Sequence, residues 1–287
     1  MIAVLLQLLI SGVLLGGIYA VLSIGLTLIF GVLEIINFAH GEFLMVSMYL
    51  TYWIFVLFGL DPYLSLVIVM PIMFLFGLAI EKGIIERVID SPPINQIFVT
   101  IGIGLVLQNL ALIAFKSNFR TVATSYSSSS FVLSDLMFSV PRVLTFGLSI
   151  AIIIILFQFL KRTYTGQSIM ALAQERTAAM LMGIDVKRTY AIAFAIGTAL
   201  VGAAGAMLMP IYYVFPSVGT LFVLVAFVVV ILGGYNSLIG SVIGGLIIGL
   251  VETFSGYFVS VHLKEAIYFG IFILILLFRP SGLFGRK

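Results

Sequence analysis

Long apolar runs separated by short polar stretches fill this chain. Measured against the ~20 apolar residues a helix needs to cross a hydrocarbon core, the runs fall at about residues 6–30, 43–58, 63–80, 94–115, 143–160, 190–212, 221–232, 238–254 and 266–278. They are continuous rather than alternating, which separates spanning helices from barrel strands. Lipid offers no partner for an unpaired backbone N–H or C=O, so each run must close its hydrogen bonds internally. The pattern predicts an all-α, polytopic transmembrane helical bundle of about eight to nine spans with interrupted helices, forming one domain over residues 1–287. The opening MIAVLLQLLISGVLLGG carries no basic residue before its apolar run, so it reads as a retained first span rather than a secretory signal.

The polar interruptions are the candidate chemistry. GVLEIINFAHGE places Glu34, Asn37, His40, Gly41 and Glu42 between two apolar runs. Polar groups at membrane depth are costly and point to function. As a helix, this stretch would put Glu34, Asn37 and Gly41 on one face; as a cytoplasmic turn, it would be capped by Asn37 and solvated. Gly41 allows a break whose freed backbone groups could line a cavity. One histidine with two carboxylates is a poor metal set, so no metal is expected. Gln108 and Asn109 lie mid-span, and adjacent residues cannot share a face. One is expected toward a pore and the other as an amide bonding a neighbouring helix. Glu252 sits near the outer end of its run, where an ionisable group can reach the interface.

The stretch from Ala20 and the stretch from Leu224 share a plan of apolar run, polar or Gly-containing break, and second apolar run; Asn236 lies in the second break. Paired interrupted segments point to a transporter site, although glycine also serves simply to bring helices close. Within the loop 161–188, Ile169, Leu172, Ala173, Arg176, Ala179, Met180 and Gly183 recur at three- and four-residue steps. That spacing predicts a short amphipathic helix, lying on the membrane surface or docking into a partner's groove.

Charge sets the orientation. One side collects Lys82, Arg87, Lys161, Arg162, Arg176, Lys187, Arg188, Arg279, Arg286 and Lys287, the other Lys116, Arg120, Arg142 and Lys264. The richer side is expected to be cytoplasmic, including the C-terminus, with the loop 116–141 facing outward. Composition agrees with a membrane location: 62% of residues are hydrophobic and 9% charged, against roughly 25% charged in soluble domains. The absence of cysteine excludes disulfides, iron–sulfur clusters and thiolate zinc sites. No basic patch suggests nucleic acid. No phosphate-binding loop and no nucleophile–base pair is present, so no catalytic residue is expected.

Four segments resemble the permease subunits of bacterial branched-chain amino acid ABC importers: GGIYAVLSIGLTLIFGVLEIINFAHGEFLM, ALAQERTAAMLMGID, VLVAFVVVILGGYNSLIGSVIGGLIIGLVE and FRPSGLFGRK. The resemblance implies a multi-pass protein of the bacterial cytoplasmic (inner) membrane. It implies a second permease as partner, homologous or a copy of this chain, with two ATP-binding subunits and a periplasmic substrate-binding protein. ATP and Mg would be held on the partner subunits, with no cofactor on this chain. The family's coupling helix carries an E-A-A-x-x-x-G pattern. Ala178, Ala179 and Gly183 match it, while Thr177 stands at the Glu position, which leaves Glu175 and Arg176 to supply polar contacts to the ATPase. Urea and short-amide permeases are similar, so the substrate stays open between them. An autonomous secondary transporter or channel, coupled through Glu34 or Glu42, and a non-transporting scaffold are the readings from other classes.

Overall fold

The computed structural model describes residues 1–133, 136–279 and 281–285. Pro280, Arg286 and Lys287 of the tail motif lie outside the described residues, as do Ser134 and Asp135 of the loop 116–141. The helices are α1 (Ile2–Leu33), α2 (His40–Phe58), α3 (Leu66–Gly83), α4 (Pro93–Phe115), α5 (Val140–Arg162), α6 (Tyr164–Leu172), α7 (Arg176–Leu181), α8 (Val186–Leu208), α9 (Val218–Gly233), α10 (Leu238–Phe258) and α11 (Lys264–Phe278). Among the described residues, seven helices are long and apolar enough to cross a membrane. Two more, α9 with 16 residues and α11 with 15, are apolar but shorter. The expected bundle of about eight to nine spans is therefore present, with one addition that hydropathy did not signal. Between α4 and α5, β1 (Ser130–Leu133) pairs antiparallel with β2 (Leu136–Ser139), Ser130 opposite Ser139.

Burial sorts the helices into a centre and a rim. In α8, 89% of the span is buried inside the chain, against 22% in α4 and α5. A helix that is apolar all round belongs in a core or in lipid; here α8 and α1 take the core and α4 and α5 face outward. Small residues set how closely the central helices approach. A Cβ on Gly12 or Gly16 would strike the α10 backbone at Leu250 or Leu246 within 2.8 Å, and one on Gly245 would strike Ala20 at 2.6 Å. On the other side of α1, Gly25 meets the carbonyl of Gly197 in α8. The seam α10–α1–α8 is thus packed backbone on backbone.

One end of the bundle gathers the turn after α1, helices α6 and α7, the start of α8 and the α9–α10 turn. The tail closes on that turn, where Leu283 N–H and Phe284 N–H donate to the carbonyls of Leu232 (2.8 Å) and Gly233 (3.1 Å). The opposite end is tied by its own loops. Arg120 and Val214 exchange backbone hydrogen bonds of 3.0 and 2.8 Å, Tyr63 donates to the Pro141 carbonyl at 2.8 Å, and Tyr126 donates to Asp61.

The expected single amphipathic helix at the first end is two helices. Thr163 caps α6 by accepting from Gly166 N–H at 3.0 Å, and α6 ends at Leu172. Glu175 then caps α7, accepting from Thr177 N–H at 3.3 Å. Three- and four-residue spacing continues through such a corner, so periodicity alone cannot mark it.

Candidate functional site

The first predicted break is real but not helical. Helix α1 ends at Leu33, with Glu34 in a left-handed conformation (φ 57°), and helix resumes only at His40. Glu34, Asn37 and Gly41 therefore do not share a helical face. The return is deep. His40 Nε2 lies 3.0 Å from the carbonyl of Leu22, and the stretch of α1 from Leu22 to its end at Leu33 is about 16 Å long. The six residues between helices, extended, cover up to about 20 Å, so α2 starts well inside the bundle. Neither is the segment solvated: Asn37, Ala39 and His40 are fully buried, and only Glu34 is exposed.

Local chemistry holds this buried, non-helical segment. Asn37 Oδ1 accepts from Ala39 N–H at 3.1 Å, closing a local turn just before α2. Thr100 of α4 donates to the Ile36 carbonyl at 3.1 Å and accepts from Phe38 N–H at 3.3 Å. Phe38 packs on Phe227 with ring centroids 5.0 Å apart. Two groups stay without a protein partner among the described residues, Asn37 Nδ2 and His40 Nδ1, each at a cost of roughly 1–3 kcal/mol. Glu42, 8% exposed, lies against Gly104 of α4.

A second helix start meets the first. Helix α9 begins at Val218 after the non-helical stretch 210–217, and Gly219 sits backbone to backbone against Gly41, so that a Cβ on either would overlap the other residue. Two helix N-termini, the positive ends of their dipoles, thus converge inside the bundle. The second discontinuity is not where the sequence echo put it. Residues 234–237 form a turn at the end of the bundle in which Asn236 is exposed and lies near Gly31. The glycines flanking that turn serve packing, Gly233 against Gly240 and Gly244 against Val229.

The remaining expected residues are dispersed. Asn109 is exposed on α4, and its amide donates to Leu105 of its own helix at 2.7 Å. Gln108 is half-buried and, among the described residues, makes no bond to another helix. The expectation of an interhelical amide is corrected: a mid-helix amide facing outward finds the i−4 carbonyl before any neighbour. At the α6–α7 end, Arg176 pairs with Asp90 at 3.4 Å and lies over the Tyr190 ring. Glu175, Thr177 and Ala178 are exposed, Ala179 is buried, and Gly183 turns the chain at φ 81°. Met180, Leu181 and Met182 project from this corner, Leu181 83% exposed.

What the sequence reading did not assemble is a cavity of about 180 Å³ at the opposite end, with Tyr19, Phe119, Tyr212, Phe222, Glu252 and Lys264 in its lining. Lys264 Nζ lies 2.5 Å from Glu252 Oε1, and Tyr19 O–H donates to Glu252 Oε2 at 2.6 Å. A larger cleft of about 410 Å³ lies along α11, but its wall is apolar apart from Arg279 and offers no constellation of polar groups. Glu252 alone carried a signal, a carboxylate inside an apolar run. Tyr19 and Lys264 become visible only once α10 and α11 are folded beside α1.

Residues 8–276 match the family described as branched-chain amino acid transport system / permease component. The chain belongs to that family. Similar proteins include the high-affinity branched-chain amino acid transport system permease protein LivH of Salmonella typhimurium, at 33% identity over 98% of this chain and 96% of the relative. BraD of Pseudomonas aeruginosa, of the same description, is 30% identical over 98% and 96%. The fructose import permease protein FruG of Bifidobacterium longum is 27% identical over 76% and 66%. No solved structure matches the chain. The permease is accordingly a multi-pass membrane protein, and its exposed apolar rim faces lipid or a partner rather than water.

Proposed function

We propose that this permease forms the translocation path of an ATP-driven importer for branched-chain amino acids. The observation that carries the reading is its near end-to-end similarity to LivH and BraD. The α6–α7 end is assigned to the cytoplasm. Among the described residues it collects Lys82, Arg87, Lys161, Arg162, Arg176, Lys187, Arg188 and Arg279, against Lys116, Arg120, Arg142 and Lys264 at the other, as the positive-inside tendency requires. The tail, bonded to the α9–α10 turn, goes with it, and the membrane is the bacterial cytoplasmic one.

In this reading Met180, Leu181 and Met182 form an apolar knob that seats in a groove of an ATP-binding subunit. Arg176 and Glu175 hold the knob's shape, because their side chains already bond within the chain. A second permease packs on the exposed rim helices. A binding protein docks at the end that carries the cavity and releases the amino acid there. ATP and Mg act on the ATP-binding subunits, and their cycle moves the α6–α7 corner.

The test is reconstitution. Proteoliposomes holding this permease with its partner permease, ATPase pair and binding protein should take up radiolabelled leucine only when ATP is inside. Gradient-driven uptake by this chain alone would overturn the reading in favour of a secondary transporter. Uptake of urea without leucine would move the substrate to the short-amide class.

A further inference from the structure

The cavity around Glu252 is built for a molecule that carries both charges. It brings one ammonium, Lys264, and two carboxylates, Glu252 and Glu265, to a wall of aromatic rings. Lys264 is the first residue of α11 and Val218 the first of α9, so two helix N-termini open on the same space. Such ends attract carboxylates through their free N–H groups and dipoles. An ammonium has three donors, of which Glu252 takes one. Tyr212 and Phe222, with ring centroids 5.5 Å apart, face each other at nearly a right angle and offer apolar surface between the charges. The cavity is below the roughly 300–1,000 Å³ typical of drug-sized sites, which suits a small solute.

Its floor is the junction of the two helix starts. Tyr19 lines the cavity, and one turn further along α1 the Leu22 carbonyl holds His40. Phe222 lines the cavity, and one turn earlier on α9 Gly219 touches Gly41. Immediately beneath lie the unpartnered Asn37 Nδ2 and His40 Nδ1.

Resting on the transport reading above, the geometry points to this cavity as the outer subsite for a zwitterionic α-amino acid, with the Gly41–Gly219 contact as its closed floor. Lys264 and the starts of α9 and α11 take the carboxylate, Glu252 and Glu265 take the ammonium, and the aromatic wall takes the aliphatic side chain. Separation of α2 from α9 opens the way to Asn37 and His40. FruG shows that a related chain serves an uncharged sugar; a site for such a solute has no use for an ion pair, and this pair is what makes the cavity specific.

The experiment uses the full reconstituted importer. Lys264→Met and Glu252→Gln are each expected to lower leucine uptake at least about tenfold, while ATP hydrolysis stimulated by the loaded binding protein stays within about twofold of wild type. The double variant should stay low. If the pair only fastens α10 to α11, removing both charges restores uptake, since no charge is left unpaired, and the inference is overturned. Normal uptake by Lys264→Met overturns it as well.

A second measurement does not depend on those variants folding. The chain has no cysteine, so Leu221→Cys, at an exposed position lining the cavity, gives a single labelling site on it. Leucine should protect that thiol from an externally added maleimide, while isopentylamine and 4-methylpentanoate, each lacking one charge, should not. Absence of protection by leucine, or equal protection by all three, overturns the subsite. If the wild-type assembly carries no leucine at all, the transport reading falls and takes the inference with it. Intact uptake without protection defeats the inference alone.

Discussion

Two polar regions lie a single turn apart on α1, and they differ in one respect, space. Around Asn37, His40 and Glu42 the polar groups are enclosed by backbone-to-backbone contact, and two of their nitrogens have no protein partner. Around Tyr19, Glu252 and Lys264 the polar groups satisfy one another beside about 180 Å³ of open volume. The closed region holds unpaired hydrogen-bonding capacity and no room; the open region holds unpaired capacity, in the remaining Lys264 donors and Glu265, and room as well. A carrier in one conformation is expected to look this way, because alternating access moves the volume while the polar groups stay fixed. On the proposed transport reading, the moving part is then the contact between the starts of α2 and α9.

The contrast can be broken most severely at that contact. Gly41→Leu puts a branched side chain into the Gly219 backbone, where the closed state offers no flexible side chain that could give way. Overpacking that side chains can absorb costs about 1–3 kcal/mol, so this variant is expected to exceed that range and to lose its folded peak in detergent chromatography. A folded Gly41→Leu protein would mean that α2 and α9 are not in contact in the stable state. Next in size is a test at the far end of the proposed motion. Leu181→Asp replaces an exposed apolar side chain, so the permease should fold normally. Loss of one interface anchor worth about 2 kcal/mol weakens ATPase association roughly 30-fold, measured by co-purification. Unchanged association would remove the knob from the coupling path. Smaller again is Asn37→Ala, which deletes the turn bond to Ala39 N–H and, with it, the unpartnered Nδ2. The lost bond is worth about 1 kcal/mol and removal of the unpaired amide offsets it by a similar amount, so the melting temperature is expected to stay nearly unchanged; a large fall would mean that Nδ2 has a partner.

These regions were not equally legible in the sequence. The span pattern was readable because lipid forces continuous apolar runs, and the Glu34–Glu42 interruption stood out against it. Its conformation did not, since a helical face and a capped turn fit the same letters, and the burial of the non-helical segment depends on Thr100 in a helix far along the chain. The second break was placed at Asn236 because glycines cluster there, whereas those glycines pack α9 against α10 and α10 against α1. The discontinuity that counts precedes Val218, in the gap between the runs 190–212 and 221–232, where no charged residue draws attention to it. The cavity was the least legible. Lys264 looks like one of four basic residues on the poorer side, and only its 2.5 Å approach to Glu252 separates it from the rest. Asn109, prominent in sequence, turned out to satisfy itself on its own helix.

The smallest bond energy at stake is at the α1–α10 seam beside these two regions, where backbone packing and polar bonds can be told apart. Beside the Tyr19–Glu252 bond at the cavity, α1 and α10 are joined by Thr27 Oγ1 and Ser241 Oγ, 2.5 Å apart and fully buried. Thr27 also donates to the Ser23 carbonyl at 2.9 Å, so Ser241 is the group that donates across the seam. In Thr27→Val the Ser241 hydroxyl need not be stranded, because the Ser237 carbonyl one turn back lies within 3.3 Å. Interhelical bonds of this kind in a membrane protein average about 0.6 kcal/mol, and the fallback keeps this one at or below that figure. The expected outcome is a small fall in melting temperature, with a Thr27→Val, Ser241→Ala double-mutant cycle giving a coupling of about 0.6 kcal/mol. A coupling several times larger would mean that polar bonds rather than the contacts of Gly12, Gly16 and Gly245 clamp α1 to α10.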